Sequence, residues 1–329
     1  MIAATRDLIV IGASMGGVEA LSALVAQFPA DLPASVLVVQ HLAEESPGVL
    51  SEILHRNGPL TAVTATDGMP LERGQIYVAP SDRHLLATPQ GIRVVFGARE
   101  NRSRPAIDPL FRTAAVHFRN RVIGVVLTGL LGDGSAGLYA VARCGGAAVI
   151  QSPDDAACPE MPRRALDRVG DAHVVALAQM GQLIDRLSRQ PAPPAPDVPD
   201  ALAIEARLTE RVLGIDDKDE LPGKPTSFTC PECSGAIKEI EEGNGRRYRC
   251  RVGHAYTLDD LLAEKTSALE DTLWMALQTL EERAAMLSSM ARDDRSRGWL
   301  RNAERYETRA RETRVHAERL RELLRSLAA

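Results

Sequence analysis

At 329 residues, with 45% hydrophobic and 25% charged positions, the chain can bury a real core and is long enough for about two domains. Its formal net charge of -5 lacks the basic excess of a nucleic-acid binder, and no run approaches the ~18 apolar residues that span a bilayer. The opening MIAATRDLIVIGAS is too short an apolar run for a secretory signal, so a cytoplasmic protein is expected, its five cysteines being thiols or metal ligands rather than disulfides.

From the N-terminus to about Arg189, β-branched runs alternate with helical patterns. Strands are expected at LIVIG from Leu8, VLVVQ from Val36, IYVAP from Ile76, IRVVFG from Ile92, VIGVVLTG from Val122 and AAVIQ from Ala147. Helices are expected to begin near Gly17, Gly48, Pro109, Ser135 and Pro159. Strands that read as continuous apolar runs suit a sheet covered on both faces, and the alternation predicts a doubly wound, mostly parallel α/β domain over residues 1–190. The stretch from Thr61 to Phe96 is poor in helix signal and reads as a hairpin or an excursion at the sheet edge. PAPPAPDVPD, from Pro191 to Asp200, cannot continue a helix or a central strand and marks a linker over residues 191–225, with one short helix from Ala201 to Leu213. A cysteine-containing unit follows over residues 226–258. Residues 259–329 then show two series of apolar positions, from Leu262 to Leu287 and from Ala303 to Leu327, in steps of three and four. That pattern predicts an antiparallel helical hairpin with its turn in ARDDRSRG.

Candidate chemistry starts at GASMGG, where Gly12 and Gly16 flank Ser14 directly after the first strand. G-x-S-x-G lets a serine stand on a tight strand-to-helix turn, with helix-terminal amides such as that of Met15 facing a developing oxyanion. A glycine-rich turn alone would more often cradle phosphate, but G-x-G-x-x-G is not met. The second strand ends at His41, and the strand from Val122 runs into LLGDG and delivers Asp133. Singly, His41 reads as a structural histidine and Asp133 as a turn residue. Together, nucleophile, base and orienting acid all follow carboxyl ends of parallel strands, the edge where open α/β sheets bind ligands. The order Ser, His, Asp differs from the Ser, Asp, His of ordinary α/β-hydrolases.

GASMGG, Gln40-His41, YVAPSDRHL, NRSRPAIDPLF, LTGLLGDGSAG and MPRRA, in this order, resemble successive blocks of the chemotaxis protein-glutamate methylesterase catalytic domain, over roughly Asp7 to Arg189. The resemblance implies hydrolysis of glutamate γ-methyl esters on a methyl-accepting chemoreceptor-type protein, with methanol released, and deamidation of receptor glutamines. It implies Ser14 as nucleophile, His41 as base and then acid, Asp133 as orienter, and no cofactor for catalysis. Leu130 stands where the family has a methionine whose backbone helps form the oxyanion site. Asn101 to Pro105 would border the substrate groove, while His84, Arg102 and Arg104 read equally as functional or structural. The family's best-known members carry an N-terminal receiver domain; here the catalytic blocks begin within ten residues, so regulation in cis by such a domain is not expected. The alternatives are a signalling scaffold that keeps the fold, and an esterase for some other substrate.

Cys230-x-x-Cys233 and, after sixteen intervening residues, Cys250-x-x-x-His254 offer three thiolates and an imidazole, a set suited to tetrahedral Zn²⁺ in a closed structural site. A small zinc ribbon is expected, with RRYRC pairing to the stretch before it. A redox C-x-x-C is the lesser reading, because no thioredoxin-like pattern surrounds the pair. Cys144 and Cys158 read as inert small residues. In the second tail helix, interspersed arginines and glutamates read first as a solvated, ion-paired face. Docking onto a helical partner, or self-association through the hairpin, is the sharper alternative. The tail could also act as a lid over the active-site edge, a reading that rests only on its place after the linker.

Overall fold

The computed structural model describes residues 5–43, 45–211, 221–243 and 245–327. Elements run β1 (Leu8–Ala13), α1 (Gly17–Val25), β2 (Ser35–Gln40), α2 (Leu50–Asn57), β3 (Thr61–Thr64), β4 (Gln75–Val78), β5 (His84–Thr88), β6 (Gly91–Val95), α3 (Ile107–Phe118) and β7 (Val122–Val126). Then follow α4 (Ser135–Arg143), β8 (Ala147–Gln151), α5 (Glu160–Val169), β9 (His173–Val175), α6 (Leu177–Arg189) and α7 (Asp200–Glu210). Strands β10 (Lys224–Thr229), β11 (Ala236–Glu242), β12 (Gly245–Cys250) and β13 (Ala255–Tyr256) precede the two long helices α8 (Leu258–Ser296) and α9 (Leu300–Leu327).

Seven strands form one parallel sheet in the order β3-β4-β2-β1-β7-β8-β9. Successive side chains of a strand point to opposite faces, and this sheet uses both. Ile9, Ile11, Val36, Val38, Ile123 and Val125 pack with Leu21 and Leu24 of α1, Leu54 of α2 and Ile184 of α6. Leu8, Val10, Leu37, Val39, Val126 and Ile150 pack with Leu110 and Phe111 of α3, Leu138 of α4 and Met161 of α5. Each such leucine or isoleucine contributes about 1.5–3 kcal/mol by leaving water, which is why these runs carry no polar alternation. Strand order reverses at β1, whose neighbours are β2 and β7, and the crevice at their carboxyl ends is where such sheets open a ligand site. The stretch from Thr61 contributes the edge strand β3, and IRVVFG lies outside the main sheet, in the antiparallel β5–β6 pair.

The proline-rich stretch crosses the surface rather than separating compact units. Arg119 donates to the carbonyls of Ala195 and Pro196, Asn120 donates to that of Pro193, and α7 packs on α3. Of the short helix expected as far as Leu213, residues 200–210 form α7, and residues 212 and 213 lie outside the described residues. The four-stranded antiparallel sheet β10–β13 belongs to the same compact unit as the α/β fold, and the boundary falls at Leu261/Leu262 instead of in the linker. RRYRC lies on β12 and pairs with β11 as the pattern suggested.

The second unit is the hairpin. Arg295–Glu307, Arg314–Ser288 and Arg321–Glu281 contacts fix α8 and α9 antiparallel, with Leu277, Ala284, Leu287, Ala303, Ala310, Ala317 and Leu324 buried between them. Two expectations shift. The turn is tighter than ARDDRSRG, since α8 runs on to Ser296 and Gly298 (φ 80°) reverses the chain. Leu262 and Leu269 are exposed, because α9 has 28 residues against 39 in α8 and the seam starts only near Leu273. Among the described residues no helix is long and apolar enough to cross a membrane.

Candidate active site

Ser14 follows β1 at a turn closed by Gly16, which takes φ 73° as the N-cap of α1. A left-handed residue there suits glycine, which has no Cβ to clash. The Ser14 N–H donates to the Thr128 carbonyl at 3.0 Å, and its carbonyl accepts from Gln40 Nε2 at 2.7 Å. Thr128 also donates its hydroxyl to the Met15 carbonyl at 3.0 Å. Three segments thus pin the serine turn. His41 extends the β1–β2 ladder by one residue through its N–H to the Ala13 carbonyl.

His41 Nδ1 lies 3.1 Å from Ser14 Oγ, and His41 Nε2 lies 2.7 Å from Asp133 Oδ2. Asp133 can only accept if ionised, so Nε2 carries the proton and the Nδ1 lone pair faces the serine. The ring is therefore used in the sense opposite to the trypsin-type triad, where Nδ1 faces the acid.

Asp133 is 1% exposed yet well supplied with donors. Its Oδ2 also accepts the Ile107 N–H (2.6 Å), and its Oδ1 accepts Asn101 Nδ2 (2.8 Å), the Gly134 N–H (2.9 Å) and the Asp108 N–H (3.2 Å). These amides belong to the starts of α3 and α4, two helix N-termini aimed at one carboxylate. Burial pushes its pKa up, but the hydrogen bonds from His41, Ile107 and Asn101 outweigh it and leave the group below the ordinary range. Beside it Asp108, also buried, is pushed up to about 7 by burial and by the charge of Asp133. α3 reaches this position because β1 carries Gly12, where a Cβ would stand 2.4 Å from Ile107 Cγ2.

Ser14, His41 and Asp133 are thus brought together as the sequence placed them. Among the described residues, neither the Met15 nor the Leu130 amide donates to another group, while Gly129 is pinned on both sides by Cys158 and Met161. His84 is not in the site. It is fully buried, donates from Nε2 to the Ala98 carbonyl and accepts the Ala106 N–H at Nδ1. Arg104 pairs with Asp82 at 2.6 Å and covers the Phe96 ring. Asn101, expected at the groove border, turns inward onto Asp133 and Asp108. Sequence reasoning missed the supporting roles of Gln40, Asn101, Asp108 and Thr128, whose only signal was their presence inside the family blocks.

Residues 9–184 match the family model for CheB methylesterase. The chain belongs to the CheB methylesterase family. It is 34% identical over 184 residues, 56% of this chain and 95% of the relative, to a Leptospira interrogans protein provisionally named protein-glutamate methylesterase/protein-glutamine glutaminase. A Yersinia pestis protein named protein-glutamate methylesterase/protein-glutamine glutaminase is 36% identical over 182 residues, 54% of this chain and 52% of the relative. This chain thus matches about half the length of the Yersinia protein. The crystal structure of the Thermotoga maritima CheB methylesterase catalytic domain superposes with a TM-score of 0.54 at 27% identity, covering 56% of this chain and all of that one. The family match ends before the cysteine-bearing sheet.

There, Cys230 and Cys233 lie in the β10–β11 turn, Cys250 ends β12 and His254 precedes β13. Their ligand atoms all lie within 4.8 Å of one another. Cys233 and Cys250 Sγ are 3.6 Å apart, and His254 Nδ1 is 3.6 Å from Cys230 Sγ and 3.5 Å from Cys250 Sγ. A tetrahedron with Zn–S of about 2.3 Å and Zn–N of about 2.0 Å has edges of about 3.5–3.8 Å, so the residues fit the metal. His254 Nε2 meets Glu232 Oε2 at 3.2 Å, the carboxylate partner expected behind a metal-bound imidazole. Cys144 is buried, its thiol pushed up to about 11 by burial, and it stays protonated and inert.

Proposed function

We propose that the chain is a serine hydrolase that removes methyl esters from glutamate side chains of a chemoreceptor-type protein and deamidates glutamines at such sites. The observation that carries this is the continuous chain from Ser14 Oγ through His41 to the buried, multiply hydrogen-bonded Asp133, within a fold of the CheB methylesterase family. Ser14 Oγ attacks the ester carbonyl while His41 Nδ1 takes its proton. The Met15 N–H, at the start of α1, and the Leu130 N–H are the proposed donors to the oxyanion, a role that needs amides free of internal partners. His41 returns the proton to the departing methanol, or to ammonia when glutamine is the substrate. Water activated by the same imidazole then frees the glutamate. Asp133 stays ionised throughout and stabilises the imidazolium.

Methanol release from a methylated receptor fragment tests this. The parent chain is expected to release methanol, and Ser14→Ala to lose about 10⁴–10⁶ of the rate with its fold intact. A Ser14→Ala variant of undiminished activity removes the reading.

We also propose a structural zinc ion on Cys230, Cys233, Cys250 and His254. The ion would supply cross-linking of two turns and no chemistry to the ester. Metal analysis of the purified chain is expected to give about one zinc per chain; a folded, metal-free protein refutes it.

A further inference from the structure

The cysteine-bearing sheet is built into the wall behind Asp133. Ala255, the residue after His254, accepts the Asn101 N–H at 2.7 Å and donates to the Arg99 carbonyl at 3.4 Å, a strand-like bridge to residues 99–101. Asn101 sits at φ 49° and Arg102 at φ 66°, left-handed conformations that asparagine adopts readily and arginine rarely. From that position Asn101 Nδ2 reaches Asp133 Oδ1 at 2.8 Å and Asp108 Oδ2 at 2.9 Å.

The metal-ligand turn sets Ala255 in its turn. The Cys250 N–H donates to the His254 carbonyl at 3.0 Å, and the Gly253 N–H to the Cys250 carbonyl at 3.1 Å. Arg249, next to Cys250, donates to Glu100 at 3.1 Å, and Glu100 also takes Arg112 of α3 at 2.6 and 2.9 Å. Just beyond β13, Thr257 caps α8 by bonding Asp260, and a side chain at Gly132 would meet its methyl at 3.2 Å. Gly132 directly precedes Asp133. The sheet therefore bonds the residue that anchors the carboxylate, and the residue just beyond it lies beside the loop that carries it.

We propose that the metal-bound Cys3His sheet is a positioning element for catalysis: the metal fixes Ala255, Ala255 fixes Asn101, and Asn101 fixes the Asp133 carboxylate that orients His41. This rests on the reading of Ser14, His41 and Asp133 as the reacting chain. The sheet lies outside the stretch shared with the family, so it is an addition to the catalytic domain that has become part of its support.

The full chain, loaded with zinc or stripped by a chelator, is labelled with a fluorophosphonate, and hydrogen exchange is followed at the Asn101 amide. Stripping is expected to slow Ser14 labelling about 10- to 100-fold, the scale of an ångström misplacement. It should also abolish Asn101 protection, and zinc should restore both. A merely structural loss would lower the labelled fraction and leave the labelling rate of the folded remainder in place, which counts against the proposal. So does an unchanged rate. If stripping unfolds the chain, zinc-loaded Arg249→Met decides: slower labelling with zinc retained, recovered in part by Arg249→Lys, supports the clamp, and the parent rate overturns it. A zinc-loaded parent that never labels sinks the hydrolase reading instead. Asn101 protection, lost or kept on stripping, then still decides the link to the metal.

Discussion

Two polar clusters inside the same compact unit treat charge differently. At the sheet edge His41 is 18% exposed beside Ser14, and Asp133 spreads its charge over helix-terminal amides. Behind it, Glu100, Arg112, Glu205, Arg247 and Arg249 are all buried, and they join the loop before α3, α3 itself, α7 and β12. Glu242 of β11 links Arg247 to Arg168 of α5 at 2.8 and 3.0 Å. Burial presses on Glu100, yet Arg112 and Arg249 overcome it and hold its pKa down to about 2. The edge joins its three side chains by hydrogen bonds and tolerates solvent. The seam holds two layers together and tolerates no missing partner, since an isolated buried charge costs far more than the pair gains.

The comparison predicts that the two clusters fail in different observables. Asp133→Asn should lower kcat by about 10⁴, because the amide no longer holds the required imidazole tautomer; steady-state ester hydrolysis reads this, and a drop of less than tenfold would place Asp133 outside the chemistry. Glu100→Gln should instead cost about 3–5 kcal/mol of stability, measured by urea unfolding, since Arg112 and Arg249 lose their shared anion. A loss under 1 kcal/mol would mean that water reaches the seam.

The smallest effect concerns Asp108. Its folded pKa of about 7 lies above that of an unfolded aspartate, about 3.9, so the stability it contributes is complete below that lower value and is lost as pH rises through about 7. Asp108→Asn removes this titration. Relative to the parent, the variant should gain stability between pH 4 and pH 8, read from urea midpoints at the two pH values. A difference that does not change with pH would show that Asp108 is ionised throughout.

Much of the site was legible in the sequence, because each reacting group ends a strand or loop whose apolar run is unmistakable. LIVIG leads to Ser14, VLVVQ to His41 and VIGVVLTG to the loop of Asp133. The supporting residues were not legible. Asn101 and Asp108 reach Asp133 from segments 32 and 25 positions away, and no local period records such a meeting. The ends of the hairpin seam were also hidden, since the three-four pattern of α8 continues past the point where α9 can meet it.

By itself the sequence determined the doubly wound sheet, the three side chains that meet at its edge, the four candidate metal ligands and the helical hairpin. Each of these follows from local spacing and from alternation that a chain must satisfy to bury its apolar faces. Only the tertiary structure decided that the cysteine-bearing sheet is no separate module. Its attachment depends on Arg247 and Arg249 meeting Glu205 and Glu100 across distances of 42 and 149 positions, pairings fixed by packing and invisible to any window along the chain.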